Sequence, residues 1–442
     1  MLKKGFQFGV STSSYQIEGT KNKFKSIWDL ETRNVIDKSD GSIACDFYSK
    51  YIEDIKLIKD LGVDVYRMSL SWARIQPYEN SFSEDGIDFY HRVFKELKRQ
   101  DIKVDVTLYH WDMPLWLYES GVGFHDSRIV NYFFDYAKKA FKEFDIYVNK
   151  WATFNEPWCV SRVGYYYKTH APFLNDLQKS IQADYYQLIA HLKTYDFYKA
   201  NYQKPIGIVF NVWGHYPHKD TKDDKLASYY SHLFFEGCFF DPMFKGRYDN
   251  LWINRLTELG LDISYIDDKL LETVKDKADY LGINYYMHNT VIYDKKHEFY
   301  FSHINTTTSL TDMDWEVNPE GLKNILKSIR ENYTDLPIII TENGAAYKDD
   351  LINGIIKDDE RCKYIKSHLE IIEEISVDLN IEGYYVWSLM DNFEWNFGYL
   401  KRFGIVYVDY ETLVRTKKQS YYMYHDLIRE KRKIWNLDIL MI

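Results

Sequence analysis

Eight short runs of apolar and β-branched residues, each of a length suited to one strand, alternate with helical stretches along the 442 residues. The runs are 6–11, 65–69, 104–109, 151–154, 206–211, 280–283, 337–341 and 383–387. Such runs, bounded by turn residues, read as strands. Between them lie amphipathic stretches: over 48–61, Tyr51, Ile55, Leu57, Ile58 and Leu61 share one face, and over 87–99, Phe94 and Leu97 point inward. Repeated βα units demand a parallel sheet, and eight of them predict closure into a single (β/α)8 TIM barrel with elaborated βα loops. No Pro-, Gly- or Ser-rich linker interrupts the pattern, so residues 1–442 are expected to form one domain.

In such a barrel the active site lies at the C-terminal ends of the strands, and polar residues recur at those places. Gln16 follows the first run, Arg67 lies in the second, and His110 and Trp111 follow the third. Asn155 and Glu156 follow the fourth, Asn284 and Tyr286 the sixth, Glu342 the seventh, and Glu394 with Trp395 lies in the loop after the eighth. Two of these places match each other. Thr153-Phe154-Asn155-Glu156-Pro157 and Ile340-Thr341-Glu342-Asn343-Gly344 each put Glu beside Asn where a strand stops. A pair of carboxylates converging from separate strands is the arrangement that glycoside hydrolysis needs. Asn343-Gly344 alone would also fit a hairpin turn, but the residues after Gly344 do not alternate like a returning strand.

Composition narrows the field. Lys+Arg 56 against Asp+Glu 66 gives a net charge of −10 with no basic stripe, which argues against a nucleic-acid partner. No apolar run approaches the roughly 20 residues of a membrane span. Met1-Leu2-Lys3-Lys4-Gly5 is not followed by an apolar segment, so a secretory signal is not read and a cytoplasmic location is expected. Cys45, Cys159, Cys238 and Cys362 show no CxxC spacing and are expected to be buried thiols. With no HExxH and no clustered His/Asp spacing, neither a metal nor another cofactor is expected.

The chain resembles glycoside hydrolase family 1, the β-glucosidase family, over essentially its whole length. The resemblance rests on seven segments: residues 8–19, 66–75, Tyr109-His110-Trp111-Asp112-Met113-Pro114, Thr153-Phe154-Asn155-Glu156-Pro157, Gly282-Ile283-Asn284-Tyr285-Tyr286, Thr341-Glu342-Asn343-Gly344, and 387–395. It implies a retaining β-glycosidase acting on small β-glycosides or oligosaccharides, with Glu156 as acid/base and Glu342 as nucleophile. Arg67 and Tyr286 would hold the nucleophile. Gln16, His110, Asn155, Glu394 and Trp395 would bind sugar hydroxyls and Trp387 would be the stacking platform, with Trp111, Asn284, Trp315 and Phe403 completing the substrate-binding set. Chemistry asks for the same division: one carboxyl starts protonated and the other charged, and the charge of the second raises the pKa of the first.

Two alternatives stay open at this level. A 6-phospho-β-glycosidase shares the fold, but that branch tends to carry small residues in place of Glu394-Trp395, and an ionised Glu394 would repel a phosphate dianion. A non-catalytic sugar-binding barrel would be signalled by loss of either carboxylate, and both are present. Departures from the family pattern fall near the entrance. Gly121-Val122-Gly123-Phe124 stands where Gly-Gly-Trp is usual, and Lys168 and Phe173 replace glycines around Thr169-His170-Ala171-Pro172. These two large residues either shape the leaving-group side or pack the loop.

Overall fold

A computed structural model of the chain describes residues 2–30 and 33–440, with side chains as far as residue 434. Its centre is a closed barrel of eight strands. They are β1 (Gln7–Ser11), β2 (Val65–Ser69), β3 (Lys103–Tyr109), β4 (Lys150–Asn155), β5 (Ile206–Asn211), β6 (Leu281–Asn284), β7 (Ile338–Asn343) and β8 (Ile381–Trp387). Each strand pairs in parallel with its sequence neighbours, and β1 closes the ring against β8 through Gln7↔Gly383 to Ser11↔Trp387. All eight expected strands are present. The expected ends shift by one or two residues: β4 runs on to Asn155, β6 to Asn284 and β7 to Asn343. Asn284 and Glu342 are therefore strand residues, not the first residues beyond.

The helical stretches fold as their periodicity requires. Phe47–Leu61 buries Phe47, Ile55, Ile58 and Leu61, while Glu84–Arg99 buries Phe94 and Leu97. The second begins three residues before the apolar pattern, because the Ser83 hydroxyl accepts the Gly86 N–H and Glu84 and Asp85 occupy the electropositive first turn. Inside the barrel, Val65, Tyr280, Ile339 and Tyr385 form one packed layer. Gly9 makes room for it, since a Cβ there would overlap the ring of Tyr385. Above this layer the lumen turns polar, with Arg67 2% exposed.

The loops carry structure that periodicity does not announce. A three-stranded sheet of His215–Pro217, Asn289–Tyr293 and Phe301–Ile304 lies outside the barrel, and wide helical turns span Cys159–Tyr166 and Leu233–Gly237. All four cysteines are free; Cys45, Cys159 and Cys238 are buried, but Cys362 is partly exposed, so the expectation of burial fails there. Among the described residues no helix is long and apolar enough to cross a membrane.

Candidate active site

Register brings the two glutamates together. Asn211 pairs with Asn284, and Asn284 with Glu342, so three polar side chains from β5, β6 and β7 stand at one level. Beside both glutamates the ladder is irregular, between Ala152 and Asn155 on β4 and between Ile340 and Glu342 on β7. Such irregularities re-aim side chains at the rims of barrels. Glu156 itself leaves β4 with φ +47°, a left-handed backbone uncommon outside glycine; Trp111 (φ +78°) and Trp395 (φ +49°) share that conformation. Three strained residues around one cavity are the pattern of a functional site.

The cavity is about 390 Å³. Glu156, Glu342, Glu394, His110, Trp111, Tyr286, Trp315, Trp387, Trp395 and Phe403 all line it. Gln16, Arg67, Asn155 and Asn284 stand directly behind. Arg67 Nη1 lies 2.5 Å from Glu342 Oε1 and the Tyr286 hydroxyl donates to Glu342 Oε2 at 2.6 Å, so both nucleophile-holding contacts expected from the sequence are present. The second guanidinium nitrogen donates to Asn155 Oδ1 at 2.7 Å. Asn284 Nδ2 bridges Asn155 Oδ1 at 3.0 Å and Glu156 Oε1 at 2.7 Å. The Asn155 amide, oriented by these donors, directs Nδ2 to His110 Nε2 at 3.2 Å, which assigns the His110 proton to Nδ1. Burial, with Arg67 close by, keeps His110 well below its ordinary pKa and hence neutral.

The two glutamates differ in their company. Burial pushes Glu156 up to about 7, and the Glu342 charge adds to this; the hydrogen bonds from Asn284 and Cys159 and the field of Arg67 pull the other way. Burial also raises Glu342, but there Arg67 and the Tyr286 hydroxyl oppose it by direct contact. Desolvation, more than the neighbouring charge invoked from sequence, thus sets Glu156. A cation at 2.5 Å makes Glu342 the member that ionises first.

Glu394 changes one expectation. Burial and then Glu342 and Glu156 raise its carboxyl to about 8, so in the free pocket near neutral pH it is mostly protonated. Repulsion of a phosphate by an ionised Glu394 is therefore not the operative argument. With Glu394 and Glu156 both raised and Glu342 paired with Arg67, net charge in the cavity does not select against a dianion. Gln16 Nε2 is shared among Asn392 Oδ1, the Phe393 carbonyl and Glu394 Oε2 at 2.9, 3.0 and 3.3 Å. Trp395 packs between Tyr15 (6.0 Å, stacked), His110 (5.9 Å, stacked) and Trp111 (4.6 Å). Trp315 and Phe403 face Tyr286 at 5.4 and 6.0 Å.

Sequence reasoning missed the other wall. Trp158, Cys159, Val163, Thr169, His170, Asn211, Trp213 and Met313 also line the cavity. The Cys159 thiol donates to Glu156 Oε2 at 3.1 Å, a contact that i, i+3 spacing in a helical turn makes possible. Phe173 is not in the wall: it is 4% exposed, with its ring edge-on to Trp28 at 5.6 Å. Lys168 lies on the exposed surface outside the cavity. Of the two readings of this pair, loop packing holds for Phe173, and neither residue lines the cavity.

Known proteins share this sequence pattern and fold. Residues 1–433 match the family described as Glycosyl hydrolase family 1, and the chain belongs to that family. "Beta-glucosidase A" of Acetivibrio thermocellus is 37% identical over 439 residues, covering 96% of this chain and 98% of that protein. A "6-phospho-beta-galactosidase" of Clostridium acetobutylicum is 34% identical, covering 98% of both chains. Among solved structures, the β-glucosidase of Exiguobacterium antarcticum superposes with a TM-score of 0.95 at 38% identity, over 98% of this chain and 99% of that one. The Thermotoga maritima β-glucosidase in complex with glucoimidazole does so with a TM-score of 0.92 at 37% identity, over 97% and 98%.

Proposed function

We propose that the protein is a retaining β-glucosidase that releases terminal non-reducing β-D-glucosyl residues from small glycosides by double displacement. The observation that carries this reading is the contrast within one cavity between Glu342, gripped by Arg67 and Tyr286, and Glu156, buried and raised to about 7. Glu156 enters protonated and gives its proton to the leaving oxygen while Glu342 attacks the anomeric carbon. Forming the glycosyl ester removes the charge of Glu342, one of the two influences that raise Glu156. Its pKa falls, and Glu156 takes a proton from the water that completes hydrolysis. Asn155, with one amide N–H left after His110, is placed for the sugar 2-hydroxyl, and Glu394, Gln16 and Trp395 for the hydroxyls at the other end of the ring.

The β-glucosidases among the relatives support a neutral β-glucoside as substrate, and Trp395, which lines the cavity where the phospho branch tends to carry a small residue, supports it over a 6-phosphorylated sugar. No cofactor enters the mechanism. Residues 1–442 would act as one catalytic barrel on a small-molecule glycoside, without a nucleic-acid or membrane partner. The free thiols fit a reducing compartment and so a cytoplasmic location.

The test is a panel of p-nitrophenyl glycosides of α- and β-configuration, with and without 6-phosphate, with the first-formed anomer followed by NMR. Faster cleavage of the unphosphorylated β-glucoside with initial release of β-glucose is expected. A higher kcat/KM for the 6-phosphate, or initial release of α-glucose, overturns the reading.

A further inference from the structure

From the last residue of β5 the chain runs Asn211-Val212-Trp213-Gly214-His215, and its residues face two ways. Trp213 lines the catalytic cavity, its ring edge-on to Trp158 at 4.8 Å and to Phe235 at 4.5 Å. Its backbone N–H points outward and donates to Glu236 Oε1 at 3.0 Å. Glu236 is 2% exposed and comes from the helical turn Leu233–Gly237, outside the barrel and away from the cavity lining.

A buried carboxylate needs compensation, and two imidazoles stand beside the other oxygen of Glu236. Oε2 lies 2.8 Å from His215 Nε2 and 3.4 Å from His232 Nδ1. His215 Nδ1 meets the Ser231 hydroxyl at 2.7 Å, and the same hydroxyl meets His303 Nε2 at 2.8 Å. Three elements, the helix Lys222–His232, the strand His215–Pro217 and the strand Phe301–Ile304, thus hold one carboxylate from behind while its front oxygen holds the backbone of Trp213. Nothing in this network touches the glutamates of the cavity, so the proposed chemistry leaves it unused.

We propose that Glu236 is a positioning residue for the leaving-group side of the cavity. By fixing the backbone of Trp213 it keeps that indole edge-on to Trp158, and so maintains an aromatic wall for an aryl or glucosyl leaving group. The inference rests on the reading of the cavity as that of a β-glucosidase with Glu156 as the acid. Stacking faces of this kind bind rings only when held in place, because a mobile side chain loses rotamer freedom on each binding event.

The experiment compares three substrates with the same glucosyl group: p-nitrophenyl β-glucoside, cellobiose and β-glucosyl fluoride, whose leaving group has no surface to stack. Glu236→Ala is expected to lower kcat/KM for the first two roughly three- to tenfold, through KM, as the loss of one fixing hydrogen bond implies. The fluoride should stay within about twofold of wild type, since it has no contact to lose. Glu236→Gln, which keeps an acceptor for the Trp213 N–H, should behave like wild type. Trp213→Ala should reproduce the loss, and the double variant should be no worse than Trp213→Ala alone. If the Ala variant fails to fold, Glu236→Asp serves: it keeps the charge facing the histidines but draws the carboxylate back from the Trp213 N–H, and the same split is expected. Equal losses on all three substrates, or multiplicative effects in the double variant, overturn the inference. A wild-type enzyme that cleaves none of the three overturns the β-glucosidase reading instead.

Discussion

As the proposed acid/base, Glu156 has to be acid enough to lose a proton to the leaving oxygen and basic enough to take one back from water, and its surroundings fit both demands. Burial favours the neutral form, while two hydrogen bonds favour the anion: Asn284 on Oε1 at 2.7 Å and the Cys159 thiol on Oε2 at 3.1 Å. With an amide N–H occupying Oε1, the proton of the acid form resides on Oε2, next to the thiol. Removing the thiol removes one stabiliser of the anion, so Cys159→Ala is expected to move the basic limb of the kcat/KM profile to higher pH. Cys159→Ser, which restores a donor, should bring the limb back toward wild type. An unchanged limb in the Ala variant, measured with a substrate that needs acid assistance, would leave the thiol without influence on Glu156. The opposite glutamate gives a sharper test. Glu342→Gly should lower hydrolysis by on the order of 10⁴-fold or more, with azide restoring turnover and yielding the α-glucosyl azide. If the α-glucosyl azide forms instead with Glu156→Gly, the two roles are exchanged.

At the scale of elements, the loop after β4 shows how a side chain can replace glycine without entering the site. Lys168 and Phe173 both keep a left-handed backbone, φ +59° and +60°. Such a conformation favours glycine, so each side chain carries a local cost. For Phe173 the contact with Trp28 offsets it, and Trp28 in turn packs on Trp395 at 4.7 Å, which ties the loop to the wall of the cavity. Phe173→Gly relaxes the backbone but empties a buried aromatic site; the cavity term should win, with a net loss of about 1–3 kcal/mol. Denaturant unfolding should show that loss, while the kcat/KM ratio of p-nitrophenyl glucoside to cellobiose stays nearly constant. A changed ratio with unchanged stability would return Phe173 to the leaving-group side. Lys168→Gly, an exposed position, should be neutral to slightly stabilising because glycine suits the φ.

For the whole molecule, the active site concentrates raised buried carboxyls, a state that recurs at Asp112, pushed up to about 7 by burial with Lys23 3.7 Å away. Elsewhere buried charges are matched in networks: Arg361 binds Asp349 and Asp358 at 2.9 and 2.5 Å, and Lys418 binds Asp349 and Asp391 at 2.5 and 2.7 Å. Of the three cavity carboxyls, Glu342 is paired with Arg67, Glu156 feels its field, and Glu394, among the described residues, has only Gln16 in support. A carboxyl whose folded pKa is raised adds stability that is complete below its unfolded pKa, near 4.5, and is lost as pH rises through the folded value. For Glu394 that value is about 8, so the loss extends across neutral pH. Glu394→Gln has no proton to lose. Its Tm should therefore rise relative to wild type on going from pH 5 to pH 8, by an amount equivalent to a few kcal/mol at most, each pKa unit being worth about 1.4 kcal/mol. Parallel Tm curves for the two proteins over that range would show that Glu394 is ionised without penalty. Function would then set the other side of the exchange: the variant should bind the sugar hydroxyls poorly.

Features that depend on local periodicity and on residue type at a strand end are legible in the chain itself. Eight strands, their order, the rim on which the cavity lies, and the convergence of Glu156 and Glu342 on that cavity all follow from that pattern, because a closed parallel barrel leaves one rim for residues that end strands. Helix starts such as Glu84 and strand ends such as Asn343 lie one to three residues from where hydropathy puts them, since caps and ladder irregularities are set by hydrogen bonds. Other features exist only once the chain has packed. The spacing of Cys159 from Glu156 permits a contact, but a turn had to place the thiol; Phe173 could face a ligand or Trp28, and packing chose Trp28. The protonation of Glu394 and the hold of Glu236 on Trp213 depend on burial and on partners distant in the chain, which no local pattern records. Desolvation is a property of the assembled molecule, and it is desolvation that tunes this site.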